Sequence, residues 1–331
     1  MQHEQPMSLR ERLARTLSFG PVAPPRFESE FADDTVQRWR EEGRFDDLTP
    51  ARFFHLDSFE WLPLEFRLER ERRPIVKIED DMEAFQQSFL ALRNKPFPGD
   101  WNTKEWEERT YPLAAAPWDE GFFQVIGIHD GATLSEALEV ACERPALVEQ
   151  QMDFYVHYLA EILENVLRGV TIDFAIYYEP IASNHGIVIS PEMYRHFVQP
   201  VLRRIVACLE RHGARHHFIW SSGHVEPLIP VWLETGINGF LLSRGAECGM
   251  NYLALRRKFG MHICFFGGID WRAVMEGPAA LQKELDVSVR PLLEQGGYVP
   301  FLNDTVRSYM SFDCFQRYRA MLDAVVSEWP P

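Results

Sequence analysis

The chain has 331 residues, of which 46% are hydrophobic and 25% charged, a composition typical of a globular protein with one large core. Asp and Glu number 49 against 34 Lys and Arg, so the formal net charge is -15. Because an acidic surface repels nucleic acid and anionic membranes, we expect neither as a partner. The sequence contains no apolar stretch long enough to cross a bilayer.

The cysteines predict a reduced, intracellular protein. They are few, odd in number and scattered, and no two form a CxxC pair. The N-terminal residues 1–16 are polar and charged, without the apolar segment of a signal peptide. We therefore expect a cytoplasmic location. The cysteines are Cys142, Cys208, Cys248, Cys264 and Cys314.

The first 120 residues differ in composition from the rest, because they contain most of the tryptophans and many prolines and charged residues. Helical periodicity predicts helices over 8–18, 33–43 and 80–93. Two short apolar runs, 61–68 and 73–78, separated by a charged turn, predict a β-hairpin. We interpret 1–120 as an N-terminal extension with the first elements of the fold, within a single domain of residues 1–331.

From residue 121 onward, short apolar strands alternate with amphipathic helices. This alternation predicts a parallel sheet covered by helices, closed as a barrel or open and doubly wound. No strand is followed by GxGxxG or a P-loop, so nothing favours a nucleotide-binding open sheet. The predicted strands are 123–128, 172–178, 217–221, 239–243, 262–267 and 298–303. The predicted helices are 134–142, 146–168, 191–212, 225–234, 252–258, 271–276, 278–293 and 311–328.

Capping residues support several of these helix boundaries. Ser190 precedes Pro191 and Glu192, which gives an N-cap, a proline at the first helical position and an acid in the first turn. Glycines stand where three helices are predicted to end, at 213, 236 and 260.

Several segments in order resemble the uroporphyrinogen decarboxylase family. Residues 172–205 (IDFAIYYEPIASNHGIVISPEMYRHFVQPVLRRI) resemble a strand, an acidic position and an "ISPE" helix start. Residues 220–240, 265–277 and 296–322 resemble three further family segments at matching spacing. Residues 10–31 and 35–47 resemble the N-terminal part of bacterial members. The likeness covers nearly the whole chain and is strongest over 170–325.

The resemblance implies an α/β fold, a (β/α)8 TIM barrel, whose first strands come from 50–57 or 61–68. It also implies two chemistries: cofactor-free decarboxylation of porphyrinogen acetates, and zinc-dependent methyl transfer to or from corrinoids or thiols. The methyltransferase alternative implies a corrinoid-carrying partner protein. A homodimer is implied as well, because relatives pair with their barrel mouths facing. Fold alone does not choose between these chemistries.

In such a barrel the active site lies at the C-terminal ends of the strands. Glu179 stands at the acidic position of the family motif, followed by Pro180 instead of Asp, and it is our first candidate acid or base. An ion pair with Arg244 is its structural alternative. Asp270 follows another strand, where it could instead cap a helix. The candidate catalytic residues are Asp57, Glu179, His224, Asp270 and Asp304. The candidate substrate-binding residues are His129, Tyr178, Trp220, Ser222, Arg244, Phe266 and Asn303.

Two departures from the family patterns affect these assignments. Asp57 could correspond to the decarboxylases' essential aspartate, but their RQAGR carboxylate-binding segment is replaced by PPRFESEF, in which only Arg26 is basic. We therefore expect a substrate smaller or less anionic than uroporphyrinogen. The methyltransferases' His-x-Cys zinc ligands are replaced by Trp220 and Ser222, which argues against that zinc site. A non-standard set of His224, Glu179 and Asp304 is the remaining alternative.

An aromatic lining of the mouth is the last prediction from the sequence. Such a lining suits a flat aromatic substrate or a corrin face, and ordinary core packing is its alternative. We interpret the chain as a carboxy-lyase of this family, acting without a cofactor on a carboxylated aromatic or tetrapyrrole-like small molecule. The alternatives are a corrinoid-dependent methyltransferase component and a binding barrel without catalysis. The aromatic residues are Tyr177, Tyr178, Trp220, Phe265 and Phe266.

Overall fold

The computed structural model describes residues 7–45, 48–64, 75–93, 106–118, 121–128, 130–243 and 246–329. The side chains of 91–93 and 246 are not described. Among these residues, no helix is both long and apolar enough to pass through a bilayer.

The structure is a mixed α/β fold built on a parallel sheet with strand order β1-β2-β3-β6-β7-β8-β9. A short antiparallel hairpin, β4 with β5, stands apart from it. The strands are β1 (Glu60–Trp61), β2 (Leu113–Trp118), β3 (Phe174–Tyr178), β4 (Ala182–Ser183), β5 (Gly186–Ile187), β6 (His216–Ser222), β7 (Gly239–Ser243), β8 (Cys264–Phe266) and β9 (Tyr298–Val299).

Helices cover the outer face of this sheet. A 3₁₀ turn, Glu226–Leu228, precedes α10, and a π-helical turn, Leu285–Val289, joins α13 to α14. The helices are α1 (Leu9–Leu17), α2 (Asp33–Glu41), α3 (Pro50–Phe53), α4 (Glu79–Arg93), α5 (Gly121–Val125), α6 (Gly131–Glu143), α7 (Pro145–Val166), α8 (Pro191–Phe197), α9 (Gln199–Arg211), α10 (Ile229–Leu233), α11 (Tyr252–Phe259), α12 (Trp271–Glu276), α13 (Pro278–Glu284), α14 (Arg290–Gln295) and α15 (Phe312–Ser327).

The parallel sheet predicted from the alternating pattern is confirmed, and five of the six predicted strands correspond to β3, β6, β7, β8 and β9. The strand predicted at 123–128 is wrong, because α5 and a turn occupy this position. All residues from 121 to 128 are buried, and a short apolar run buried on every side does not reveal its period. The strand before it, β2, was missed because its sequence, LAAAPW, is rich in alanine and contains proline.

Two other predictions need correction. Residues 50–53 form α3 and not a strand, while β1 covers only Glu60–Trp61. Most of the predicted hairpin over 61–68 and 73–78 lies outside the described residues. The helix predicted over 191–212 divides into α8 and α9 at Val198, because Pro200 lacks the N–H that would continue the ladder. Ser190 caps α8 as predicted, accepting a hydrogen bond from the Met193 N–H.

The sheet curls around an interior core made mostly of aromatic rings. Phe174 on β3 and Phe266 on β8 have ring centroids 5.6 Å apart although two strands separate β3 from β8. Phe218 on β6 stacks on Phe266 at 4.1 Å. Such contacts between distant strands require a strongly curved sheet whose concave face is filled by side chains.

One helix and one extended segment pack against the ends and edges of this curled sheet. The helix α1 packs against the N-terminal ends of the strands: Arg10 pairs with Asp173 just before β3, and the Thr16 carbonyl accepts from the Gly297 N–H just before β9. The segment 26–32 lies between the two sheet edges. Its Arg26 carbonyl accepts from the Asp57 N–H near β1, and its Ala32 N–H donates to the Val306 carbonyl beyond β9, both at 3.0 Å.

Candidate active site

The alternation of side chains along β3 decides which candidates face the interior. Phe174 and Ile176 belong to the interior core, whereas Ala175 and Tyr177 belong to the core between sheet and helices. Because successive strand residues point to opposite faces, Tyr178 faces the interior and Glu179 faces the helices. Both residues lie at the end of this strand as predicted, but they point in opposite directions.

A group of half-buried side chains forms the interior surface at the C-terminal strand ends, and we call it the mouth cluster: Tyr178, Trp220, Ser222 and Ser243. The Tyr178 and Trp220 rings lie 5.2 Å apart, edge to face. The Trp220 Nε1 donates to the Ser243 Oγ at 2.9 Å, which fixes the indole plane. Ser222 pairs in register with Ser243 on the neighbouring strand. The result is an aromatic surface with hydroxyl groups at its edge.

Trp61 is a further interior-facing aromatic that sequence reasoning did not single out. Its side of β1 follows from Phe59, two residues earlier, whose ring contacts interior Phe174 at 5.1 Å. Trp61 remains 45% exposed, which is unusual for so large an apolar side chain. The Phe-x-Trp spacing of a strand was the available signal for its direction.

His224 lies just beyond the end of β6, held by the hairpin β4–β5. Its N–H donates to the Ser183 carbonyl at 2.9 Å. Gly223, at φ +84°, permits this contact, because a Cβ there would stand 2.5 Å from the Ser183 oxygen. The His224 Nδ1 lies 3.1 Å from the Cys248 carbonyl oxygen. Since a carbonyl only accepts, Nδ1 carries the hydrogen, and in the neutral ring Nε2 is the acceptor.

Glu179 is fully buried between the sheet and the helices, where three donors surround its carboxyl group. The Trp118 Nε1 and the Tyr194 hydroxyl donate to Oε2 at 3.0 and 2.9 Å, and the Phe122 N–H donates to Oε1 at 2.9 Å. Burial raises the pKa of Glu179 to about 7, although the three hydrogen bonds act in the opposite direction. The carboxyl group thus joins β2, β3 and α8 behind the mouth cluster.

The other carboxylates are engaged in structural contacts. Asp57 precedes β1 and pairs with Arg12 of α1, so it lies by the N-terminal ends of the strands, away from the mouth cluster. Asp270 caps α12, accepting from the Arg272 N–H at 3.0 Å. Asp304 accepts from the Thr305 N–H at 2.8 Å, and its own carbonyl accepts from the Ser29 hydroxyl.

The remaining substrate-binding candidates have different surroundings. Phe266 is 2% exposed and belongs to the interior core, the packing alternative considered for the aromatic residues. Asn303 is buried, and its Oδ1 lies 3.4 Å from the Trp271 N–H, against the start of α12. His129 and Arg244 lie outside the described residues, and so does the proposed Glu179–Arg244 ion pair.

The residues at the family's zinc positions do not fit a zinc ion. The Trp220 indole nitrogen is a donor only and is directed at Ser243. The alternative set of Glu179, His224 and Asp304 is not brought together as a group of ligands within the described chain. We therefore derive no step through a metal at the mouth cluster.

A curled parallel sheet covered by helices, with an aromatic surface at its C-terminal strand ends, defines a mixed α/β protein with a surface suited to a ligand. The comparisons identify the family: the profile described as uroporphyrinogen decarboxylase (URO-D) matches residues 114–301, more than half of the chain. The chain belongs to the uroporphyrinogen decarboxylase family, as its sequence motifs indicated.

Similarity outside this family profile concerns the fold. A methyltransferase from Methanosarcina mazei superposes with a TM-score of 0.61 over 97% of this chain and 99% of its own. The two sequences are 13% identical, so the likeness is evidence for a shared fold only and carries no information about the reaction. No curated protein matches the sequence. The family is named for a decarboxylase and the structurally similar protein from Methanosarcina mazei is a methyltransferase, so both comparisons lead to enzymes.

Proposed function

We propose that this protein is a carboxy-lyase that binds a flat carboxylated aromatic or tetrapyrrole-like molecule against the mouth cluster and decarboxylates it without a cofactor. The observation that supports this proposal is the half-buried Tyr178–Trp220 pair, which offers a ring-sized apolar surface with hydroxyl groups beside it. The closed form of the fold belongs to the same proposal: segment 26–32 takes the place of the eighth strand of a (β/α)8 barrel.

Decarboxylation requires a substrate that can accept the electron pair of the broken bond and a protein group that can supply one proton. The bond between the ring substituent and the carboxylate carbon breaks, carbon dioxide leaves, and the electron pair stays on the substrate carbon. That pair forms a new C–H bond with a proton, which takes the place of the lost carboxylate. His224 is the proposed proton donor: because Nδ1 is held by the Cys248 carbonyl, Nε2 is the nitrogen that would carry and deliver the proton from the imidazolium form of the ring. Glu179, buried behind Tyr178, is proposed as a positioning residue. Asp57, Asp270 and Asp304 have no step in this scheme.

Replacing Trp220 by leucine is expected to lower kcat/KM about 10- to 100-fold, mainly through KM, because a buried aromatic contact of this size contributes about 1.5–3 kcal/mol. The measurement is carbon dioxide release by metal-free protein from a panel of carboxylated aromatics and tetrapyrroles. Trp329→Leu, a partly buried tryptophan near the end of the chain, is the matched control and should leave KM unchanged.

Tyr178→Phe and Tyr177→Phe separate the two faces of β3 in the same assay. Tyr178 belongs to the mouth cluster, whereas the buried Tyr177 hydroxyl lies 2.9 Å from the His217 Nδ1 on the helix side. We expect only the first substitution to change KM, and the second to change stability alone. Equal effects of the two on KM, or no carbon dioxide from any acid tested, would contradict the proposal.

Methyl transfer with a corrinoid-carrying partner protein is the second candidate, because the same aromatic surface suits the face of a corrin ring. It predicts a change in the cobalamin absorption spectrum on mixing with this protein, and loss of that change in Trp220→Leu. Binding without turnover in either assay would instead identify a binding barrel without catalysis.

A further inference from the structure

Beside the N-terminal end of β3, at the opposite end of this strand from the mouth cluster, two outer helices bring together three side chains of metal-binding type. Cys208 and His212 stand one helical turn apart at the end of α9, and Glu164 faces them from α7. The Glu164 Oε1 lies 3.5 Å from the Cys208 Sγ, and its Oε2 lies 3.0 Å from the His212 Nε2. One ligand atom from each residue lies within 4.8 Å of the others.

We propose that Glu164, Cys208 and His212 form a binding site for a zinc-like divalent transition metal that joins α7 to α9. Sulfur, imidazole nitrogen and carboxylate oxygen together are a ligand set for zinc or cobalt, whereas magnesium and calcium prefer oxygen alone. Three protein ligands leave one position for water. Among the described residues this is the one group of three such ligands with this spacing.

The exposure of the three side chains increases from Cys208 through His212 to Glu164, so a metal ion could reach the site from the Glu164 side. Cys208 is 1% exposed, the His212 side chain 17% and the Glu164 side chain 44%. A metal ion would therefore enter past Glu164, lose its contact with water on the protein side, and displace the proton of the Cys208 thiol on binding. Glycine 213 follows directly and ends the helix, so His212 sits where α9 stops.

Arg211 is the competitor for this site. Its guanidinium pairs with Glu164 at the oxygen nearest Cys208, and its side chain is 60% exposed. An exposed ion pair of this kind is worth little, so a metal ion can displace it, but the nearby positive charge lowers the affinity for a cation. This competition predicts opposite changes in metal affinity: removal of Arg211 should strengthen metal binding, while removal of any ligand should weaken it.

Cobalt(II) titration of the full-length, metal-free protein tests the proposal. We expect one equivalent of Co²⁺ to bind with a thiolate-to-cobalt absorption band in the near ultraviolet, and Zn²⁺ to displace it. Cys208→Ser should abolish the band and weaken binding at least about 100-fold, since losing even an outer-shell partner of a ligand costs about 10- to 100-fold. His212→Gln should weaken binding similarly while keeping a hydrogen bond to Glu164. Arg211→Ala should tighten it several-fold.

The same two helices carry a matched control. Asp153 and His157 of α7 lie beside Arg204 of α9, with the Arg204 Nη1 3.3 Å from Asp153, which repeats the acid, imidazole and arginine without a thiol. His157→Ala and the exposed-thiol variant Cys142→Ser should leave cobalt binding unchanged. A band that survives Cys208→Ser, a loss caused equally by Cys142→Ser, or the absence of stoichiometric binding would overturn the proposal. Circular dichroism of each metal-free variant checks that it is folded.

Discussion

Glu28→Ala is expected to lower the free energy of unfolding by about 3–5 kcal/mol, because it removes the buried carboxylate that Arg319 and two further donors share, and leaves the guanidinium to the partly exposed Asp323. The Glu28 side chain is 2% exposed and the Arg319 side chain 4%, with Nη1 and Oε2 3.1 Å apart. Glu28 also accepts from the Tyr318 hydroxyl at 2.9 Å and from the Leu302 N–H at 3.0 Å. Urea-induced unfolding measures the change.

The physical reason for so large an effect lies in the position of Glu28. It sits in the middle of segment 26–32, which is hydrogen-bonded to residues before β1 and after β9, and its partners lie on α15 and beside β9. Removing one charge of a buried pair costs more than removing both, since the penalty comes from the uncompensated charge. The double variant Glu28→Leu/Arg319→Met should therefore recover part of the stability lost in Glu28→Ala.

Glu30→Ala is the matched control, two residues away on the same segment. Glu30 is exposed, and its contribution to pairing with Val306 is through the backbone carbonyl, which alanine retains. Its effect should stay within about 0.5 kcal/mol, as for most surface substitutions. A loss below about 1 kcal/mol in Glu28→Ala would show that the pair does not hold the segment in place.

Two of the strands that the sequence predicts correctly are runs rich in β-branched or aromatic residues ending at a polar position. These runs are IDFAIYY and HFIWS, and they form β3 and β6. The exceptions have physical reasons. Half of β2 is alanine, and the apolar run 123–128 is buried on every side, so that its period is hidden.

The candidate site was less predictable because a strand-end position does not determine the direction of a side chain. Tyr178 and Glu179 are neighbours at the same strand end, yet one faces the interior and the other the helices. Alternation places them on opposite faces, but which face is the interior follows from tertiary contacts, such as those of Glu179 with Trp118 and Tyr194, which come from other parts of the chain. Similarly, Asp57 finds its partner in Arg12, 45 residues earlier, a contact that no local pattern indicates.

A pH-dependent stability is expected from Glu179. Its pKa is about 7 in the folded protein against an ordinary value of 4.5, so between these two pH values the folded state binds a proton that the unfolded state has released. Stability therefore falls as the pH rises through this range and levels off above it. A shift of this size corresponds to about 3 kcal/mol, at 1.36 kcal/mol for each pKa unit.

Glu179→Gln isolates this contribution, because the other titrating groups cancel in the difference between the two proteins. We expect the stability of the native protein relative to Glu179→Gln to decrease by about 3 kcal/mol between pH 4.5 and 8, measured by urea unfolding at steps of pH. Glu192→Gln is the control: this exposed carboxyl has a lowered pKa, so its difference should be flat above pH 5.

Tyr194→Phe should raise the pKa of Glu179 further, because it removes one of the hydrogen bonds that oppose the effect of burial. The Tyr194 hydroxyl donates to the Glu179 carboxyl, which lowers its pKa, and accepts from the Trp232 Nε1 at 2.8 Å. Without this hydroxyl, fewer hydrogen bonds oppose the effect of burial on the Glu179 pKa, so the fall in stability should extend to higher pH. A flat difference curve for Glu179→Gln would mean that the three donors outweigh burial and hold the carboxyl group ionised.

The same variants separate a positioning role of Glu179 from a role as the reacting acid. A positioning residue acts through Tyr178, so Glu179→Gln should alter KM together with stability and leave the shape of the pH profile of kcat unchanged. If instead the profile lost a group with a pKa near 7 in Glu179→Gln but not in a His224→Gln variant, the buried carboxyl would be the proton donor. The direction of the Glu179 side chain, away from the mouth cluster and toward Trp118 and Tyr194, favours the first result.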